Sequence, residues 1–200
     1  MKAIDGTLAV LVVCEANICR SPAAAFALSE RLPDALVASA GWSARSGSPL
    51  CDRVAAALHA RGDRRSEIDD FRSRAVQALD LEEFDLVLTA TRAIRGGLAR
   101  TQPWVRDRLF TLVEATTLFA AEGDGAPPWT RATGIAEYLN LRRGMVVSSR
   151  PRFRGRSRQD REFDIIDGHG SRTRPHQSAI SESLERGDQI GRALAWGRQP

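Results

Sequence analysis

Cysteine, histidine and lysine are all scarce in this chain, and each scarcity closes off a class of function. Cys14, Cys19 and Cys51 are the three cysteines among 200 residues, too few and too odd in number for a disulfide framework. There is no Cys-x-x-Cys pair, and the three histidines stand apart at 59, 169 and 176, which argues against a structural zinc site. No apolar run reaches the roughly 18 residues of a membrane-spanning helix. The N-terminus offers one lysine and then Asp5 before a short apolar run with no small-residue cleavage site, a poor signal peptide. These absences predict a cytoplasmic protein without a structural zinc site or a transmembrane helix.

Of the 29 basic residues all but Lys2 are arginine, and the formal net charge is +4. Beside heavy alanine use, that skew reflects genome composition as readily as a binding function. Arg142, Arg143, Arg150, Arg152, Arg154, Arg156, Arg158 and Arg161 form a basic stretch with Asp160 as its acid and Phe153 as its aromatic. With so little to stack a base, the stretch argues against nucleic acid as a partner; a solvated segment or docking of acidic partners remain. Gly123, Gly125, Pro127 and Pro128 mark a break. Residues 122–161 therefore read as an insertion, with part of 130–143 able to form a helix.

What is present is enough for one domain spanning 1–200: the hydrophobic fraction is 42%. Residues 7–13, Thr-Leu-Ala-Val-Leu-Val-Val, suit a strand buried on both faces. Ser21-Pro22 then opens a helix to about Leu32, with Ser at the N-cap and Pro at the first helical position. A second strand is predicted over 35–40, ended by Gly41, and a helix over 51–61, stopped by Gly62. A third strand follows at 85–90, a short helix at 92–100 weakened by Gly96-Gly97, a fourth strand at 108–112 and a helix at about 113–121. The last helix covers 173–195, with Ile180, Leu184, Ile190 and Leu194 on one side and an interruption at Gly187. Alternating strands and helices predict an α/β three-layer sandwich around a four-stranded, mostly parallel sheet. Ligands in such folds bind beyond the carboxyl ends of the strands, where Cys14 stands.

The segment Cys14-Glu15-Ala16-Asn17-Ile18-Cys19-Arg20-Ser21 has the chemistry of a phosphate cradle. Its successive backbone N–H groups are able to curl around an anion, and the helix beginning near Ser21 adds its positive end. Arg20 brings a planar fork matched to two phosphate oxygens. The same positive field raises the thiolate fraction of Cys14. A bare C-x5-R spacing is weak evidence; its place between a buried strand and a Ser-Pro helix start makes it strong.

Val12-Val-Cys14-Glu-Ala-Asn-Ile-Cys-Arg20-Ser-Pro22 resembles the signature of the low-molecular-weight protein tyrosine phosphatases, V-C-x-G-N-[IV]-C-R-S-P. Ser39-Ala-Gly41, Arg74-Ala with Asp85-Leu-Val-Leu, and Asp164-Ile-Ile-Asp167-Gly-His-Gly170 resemble further family stretches in order, over roughly 7–118 and 162–196. The resemblance implies a phosphatase I-like fold and a phosphatase of phosphotyrosine proteins, with a bacterial tyrosine kinase as a further partner and no metal or other cofactor. It makes Cys14 the nucleophile, Arg20 the phosphate clamp and Asp167 the general acid and then base. Asn17 would hold the loop through Ser39, Ser21 would donate to the Cys14 sulfur, and Asp164 would orient the acid loop. Cys19 matches a family cysteine able to pair with the nucleophile, and reads equally as a small buried residue.

Several positions depart from the family pattern. Ala16 stands for a glycine, which would strain the loop if that position needed positive φ. Gly168 and Ile166 stand for prolines. Arg45 stands where an aromatic wall is usual, with Trp42 and His169 as other candidates for the substrate wall. Two other functions stay open on the residues alone: arsenate reduction with a small external thiol, and phosphate binding without turnover.

Overall fold

The computed structural model describes residues 7–120, 134–143, 163–168 and 173–196. His169 and most of the expected insertion, including 144–161, lie outside them. Four strands, β1 (Ala9–Cys14), β2 (Leu36–Gly41), β3 (Leu86–Thr89) and β4 (Leu109–Thr111), form one sheet in the order β2-β1-β3-β4. All three pairings are parallel. The helices are α1 (Arg20–Arg31), α2 (Asp52–Arg61), α3 (Arg65–Asp69), α4 (Arg92–Thr101), α5 (Leu112–Ala120), α6 (Ile135–Arg142) and α7 (Thr173–Trp196). The short helix α3 and the 3-10 turns at Val76–Ala78 and Pro103–Arg108 are not predicted from the sequence, while the 3-10 turn at Leu81–Glu83 falls on the helix-start pattern Asp80-Leu-Glu-Glu, with the Asp80 side chain accepting from the Glu82 N–H.

The continuous apolar run of β1 follows from its central place: all six of its residues are buried. Side chains alternate across the sheet. Val10 and Val12 join Leu86, Leu88 and Phe110 on one face, under α1, α5, α6 and α7. Leu11 and Val13 join Val87 and Leu109 on the other, against Ile94 and Leu98 of α4 and the turn residues Val76, Leu81 and Val105. A third cluster, with Ala23, Val54, Leu58 and Ile180, fills the space between α1, α2 and α7. The chain leaves β1 toward β2 on one side and returns to β3 on the other. The carboxyl end of β1 is therefore a topological switch point, and Cys14 is its last residue.

Two expectations about helices change. Helix α1 begins at Arg20 with Cys19 as its N-cap residue, two positions earlier than Ser21 as a cap would allow. The Ser21 hydroxyl is drawn instead to the Cys14 sulfur and the Ala40 carbonyl. Pro22 is still accommodated, because N–H groups of a first turn have no helical acceptor. Gly187 does not interrupt α7, which runs unbroken from Thr173 to Trp196. It is the point where α7 crosses α1: a Cβ there would lie 2.3 Å from the Ala24 carbonyl oxygen.

Helix α6 lies within the stretch expected to be an insertion, and it is built into the core through Ile135, Tyr138 and Leu139. The first two arginines of the basic stretch are likewise engaged. Arg142 sits over the Tyr138 ring and Arg143 over Phe110, at 4.3 and 4.0 Å. Arg143 also pairs with Glu114 at 3.2 Å, an acid shared with Arg95 at 2.5 Å. Burial pulls the Arg143 guanidinium down from its usual range.

The crossing of α1 and α7 yields a paired prediction. Gly187→Ala should lose stability by roughly 1–3 kcal/mol, because the methyl meets backbone and overpacks the crossing. At Gly96 the same change meets only the end of Arg100 at 3.5 Å. There it should gain up to about 1 kcal/mol from helix propensity. Urea denaturation of both variants measures the two signs.

Candidate active site

The loop from Cys14 to Arg20 closes over the end of β1, and Asn17 is its keystone. Asn17 adopts φ +54°, the one positive φ outside glycine among the described residues. Asparagine tolerates that conformation better than most side chains. Its side chain is fully buried. Nδ2 donates to Ser21 Oγ at 3.0 Å and to Ser39 Oγ at 2.9 Å. Oδ1 accepts from the Arg74 N–H at 2.9 Å. Both amide hydrogens and the carbonyl thus have partners from three separate elements.

The backbone around the loop is held just as closely. The N–H groups of Trp42 and Ser43 donate to the carbonyls of Cys14 and Glu15, and Gly41 donates to Arg74. A Cβ at Gly41 would lie 2.8 Å from both the Asn17 nitrogen and the Glu15 oxygen. The glycine of Ser39-Ala-Gly41 is thus required by direct contact of β2 with the loop. Ile18 adds its carbonyl, which accepts from the Cys51 N–H at the start of α2.

At the centre, Cys14 is 2% exposed. Its sulfur accepts from the Asn17 N–H at 3.3 Å and from the Ser21 hydroxyl at 3.1 Å. Arg20, 4% exposed, is the first residue of α1 and reaches back to the acid loop. It donates to the Ile165 carbonyl at 3.1 Å and to Asp167 Oδ2 at 2.6 Å. Asp164 is occupied elsewhere, accepting from the Arg92 N–H at 2.6 Å at the start of α4. The Ile165 N–H donates to the Ala90 carbonyl beyond β3. Cys19 differs sharply from Cys14. Its sulfur lies 3.3 Å from His176 Nε2, and a hydrogen bond with Cys51 together with burial pushes its thiol far above the usual range.

Residues 9–138 match the family model described as low molecular weight phosphotyrosine protein phosphatase. The chain belongs to the low molecular weight phosphotyrosine protein phosphatase family. It is 33% identical over 100 residues to the low molecular weight protein-tyrosine-phosphatase Wzb of Salmonella typhi, covering 50% of this chain and 65% of that protein. It is 29% identical over 145 residues to the probable low molecular weight protein-tyrosine-phosphatase EpsP of Ralstonia nicotianae, covering 72% of this chain and 95% of that protein. Among solved structures, the YwlE arginine phosphatase of Geobacillus stearothermophilus shares the fold at a TM-score of 0.60 and 24% identity, over 94% of this chain and 92% of that one.

Family membership gives the departures from the pattern a frame. Ala16 is not among the residues at positive φ, so its methyl strains nothing; the left-handed residue is its neighbour Asn17. Gly168 has a steric reason: a Cβ there would lie 2.3 Å from the Cα of His176. The acid loop is seated directly on the first turns of α7. Trp42 is half-buried and packs against α4, where a Cβ at Gly97 would be 2.9 Å from the indole. Part of the Trp42 ring is therefore core. Arg45 has an exposed side chain. Its carbonyl accepts from Ser73 Oγ at 2.6 Å, which ties its loop to the segment carrying Arg74. Ser73 and His176 escape a reading of the sequence, since Ser73 reaches Arg45 across 28 positions and His176 reaches Cys19 and Cys51 across 157 and 125.

Asn17→Ala should destabilise the protein by at least about 2 kcal/mol, from a backbone term of about 1–2 kcal/mol and the loss of partners to buried groups. Asn17→Gly should restore the backbone part and not the remainder. Guanidinium denaturation of the two variants separates the contributions.

Proposed function

We propose that this chain hydrolyses phosphotyrosine in proteins through a phosphocysteine intermediate. The observation that carries the reading is the shared environment of Cys14, Ser21, Arg20 and Asp167. Two donors point at the Cys14 sulfur, and Arg20 joins the loop to Asp167 at 2.6 Å.

In this reading the phosphate dianion enters the loop, and its oxygens take the backbone N–H groups and the Arg20 fork. Arg20 then turns from the Asp167 carboxylate to the phosphate, and Asp167, released from the cation, takes up a proton from solvent and faces the leaving oxygen. The Cys14 thiolate attacks phosphorus, the bond from phosphorus to the tyrosine oxygen breaks, and Asp167 supplies the proton to that oxygen. A water then attacks the phosphocysteine while Asp167 takes its proton. The sulfur leaves as thiolate, with the Ser21 hydroxyl stabilising the charge as it forms. Inorganic phosphate departs, and Arg20 returns to the carboxyl. Asn17 and Ser39 act through the loop by fixing where its N–H groups point. The exposed Arg45 and the edge of Trp42 border the entrance and would meet the aryl ring or the acidic flanks of a peptide. Phosphotyrosine proteins are the substrates in this reading, a tyrosine kinase among them.

Hydrolysis of para-nitrophenyl phosphate tests the roles. Cys14→Ser should abolish turnover. Asp167→Asn should lower kcat by about 10²–10⁴-fold, the usual worth of a positioned acid or base. Inorganic phosphate should inhibit Asp167→Asn at least as well as wild type, because Arg20 no longer has a carboxylate to leave. Equal rates for wild type and Cys14→Ser, or thiol-dependent arsenate turnover without aryl phosphatase activity, would sink the proposal.

A further inference from the structure

Behind the loop, three side chains from distant parts of the chain converge. Cys19 ends the loop, Cys51 is the N-cap residue of α2, and His176 lies near the start of α7. Their ligand atoms lie within 4.8 Å of one another. Both sulfurs approach the same nitrogen: Cys19 Sγ lies 3.3 Å and Cys51 Sγ 3.5 Å from His176 Nε2. Cys19 and His176 are 4% and 9% exposed, while Cys51 is half-buried and gives the cluster an edge toward solvent.

We propose that Cys19, Cys51 and His176 form a zinc site distinct from the phosphate loop. The separations favour it. With Zn–S near 2.3 Å and Zn–N near 2.0–2.1 Å, a tetrahedral centre places its sulfur and nitrogen ligands about 3.5 Å apart and two sulfurs about 3.8 Å apart. The observed sulfur–nitrogen distances match that spacing, and all three ligand atoms lie within 4.8 Å of one another. Two thiolates and one imidazole are soft donors that select zinc over magnesium or calcium. Binding forms two Zn–S bonds and one Zn–N bond, releases the two thiol protons to solvent and leaves the fourth position to water.

The three ligands stand on the loop, on α2 and on α7, and the backbone of His176 supports Gly168 of the acid loop. An ion here ties the two halves of the candidate active site together from behind. The separation of 125 positions between Cys51 and His176 explains why spacing in the sequence does not reveal the site.

The test is zinc uptake by the reduced full-length protein, in competition with a chromophoric chelator and with no phosphate ester present. Wild type should bind one zinc per chain. Cobalt(II) in its place should show thiolate-to-metal charge-transfer absorption. Cys51→Ser should weaken zinc binding by about 100-fold or more, since loss of an outer-shell partner alone costs 10–100-fold. Serine suits an N-cap position, so this variant should keep its fold. His176→Gln should show the same loss, and Cys14→Ser should bind as wild type does. Wild-type affinity in both Cys51→Ser and His176→Gln overturns the proposal, as does zinc binding that disappears with Cys14→Ser. So does a wild type that takes up no zinc.

Discussion

The structure depends on one buried amide. Asn17 is held in a left-handed conformation and spends all of its side-chain hydrogen-bonding capacity on Ser21, Ser39 and the backbone of Arg74. Each partner belongs to a different element, so the amide fastens the loop to α1, to β2 and to the segment after α3. A cradle for an anion needs several N–H groups aimed at one point, and unsupported backbone would not hold them there. The amide supplies that rigidity with neutral groups, so the positive potential of the loop remains for the ligand.

Arg20 extends the same logic to the far end of the chain. Its guanidinium binds the Ile165 carbonyl and Asp167, while Asp164 and Ile165 anchor the acid loop to residues just beyond β3. The loop is thus tied to the start of α1 and the start of α4, and it rests on α7 through Gly168. This packing accounts for the loss of the proline expected at 168: the bulk of a proline ring would collide with His176. Arg20 is nine-tenths buried while Asp167 remains 44% exposed, so their contact is one that an entering anion is able to displace.

The parts of the fold legible in the sequence are those with short-range causes. The apolar run of β1, the Gly62 stop after α2 and the C-x5-R spacing between strand and helix all follow from neighbouring residues. The parallel pairing follows from the alternation of strands and helices, whereas the order β2-β1-β3-β4 is a finding of the structure. What escaped is long-range. Gly187 reads as a break in a helix because propensity is local, whereas its place is set by the Ala24 backbone it meets. Ser21 reads as a cap because Ser-Pro is a helix start, whereas its hydroxyl is taken by the Cys14 sulfur and the cap lies two residues earlier, at Cys19. The arginine-rich stretch reads as wholly solvated, whereas Arg143 spans Phe110 and Glu114.

The two cysteines of the loop show how environment, rather than residue type, divides chemical work. Cys14 and Cys19 are both buried and lie five positions apart in one loop. The Cys14 sulfur receives an amide N–H and a hydroxyl. The Cys19 sulfur faces another thiol and an imidazole nitrogen, and its hydrogen bond with Cys51 and its burial hold the proton in place. A thiol so held is a poor nucleophile toward phosphorus, because the thiolate is the attacking species. It is an effective ligand for a cation, whose charge replaces the proton. Under the two proposals made above, the loop would present one sulfur to an anion in front and another to a cation behind.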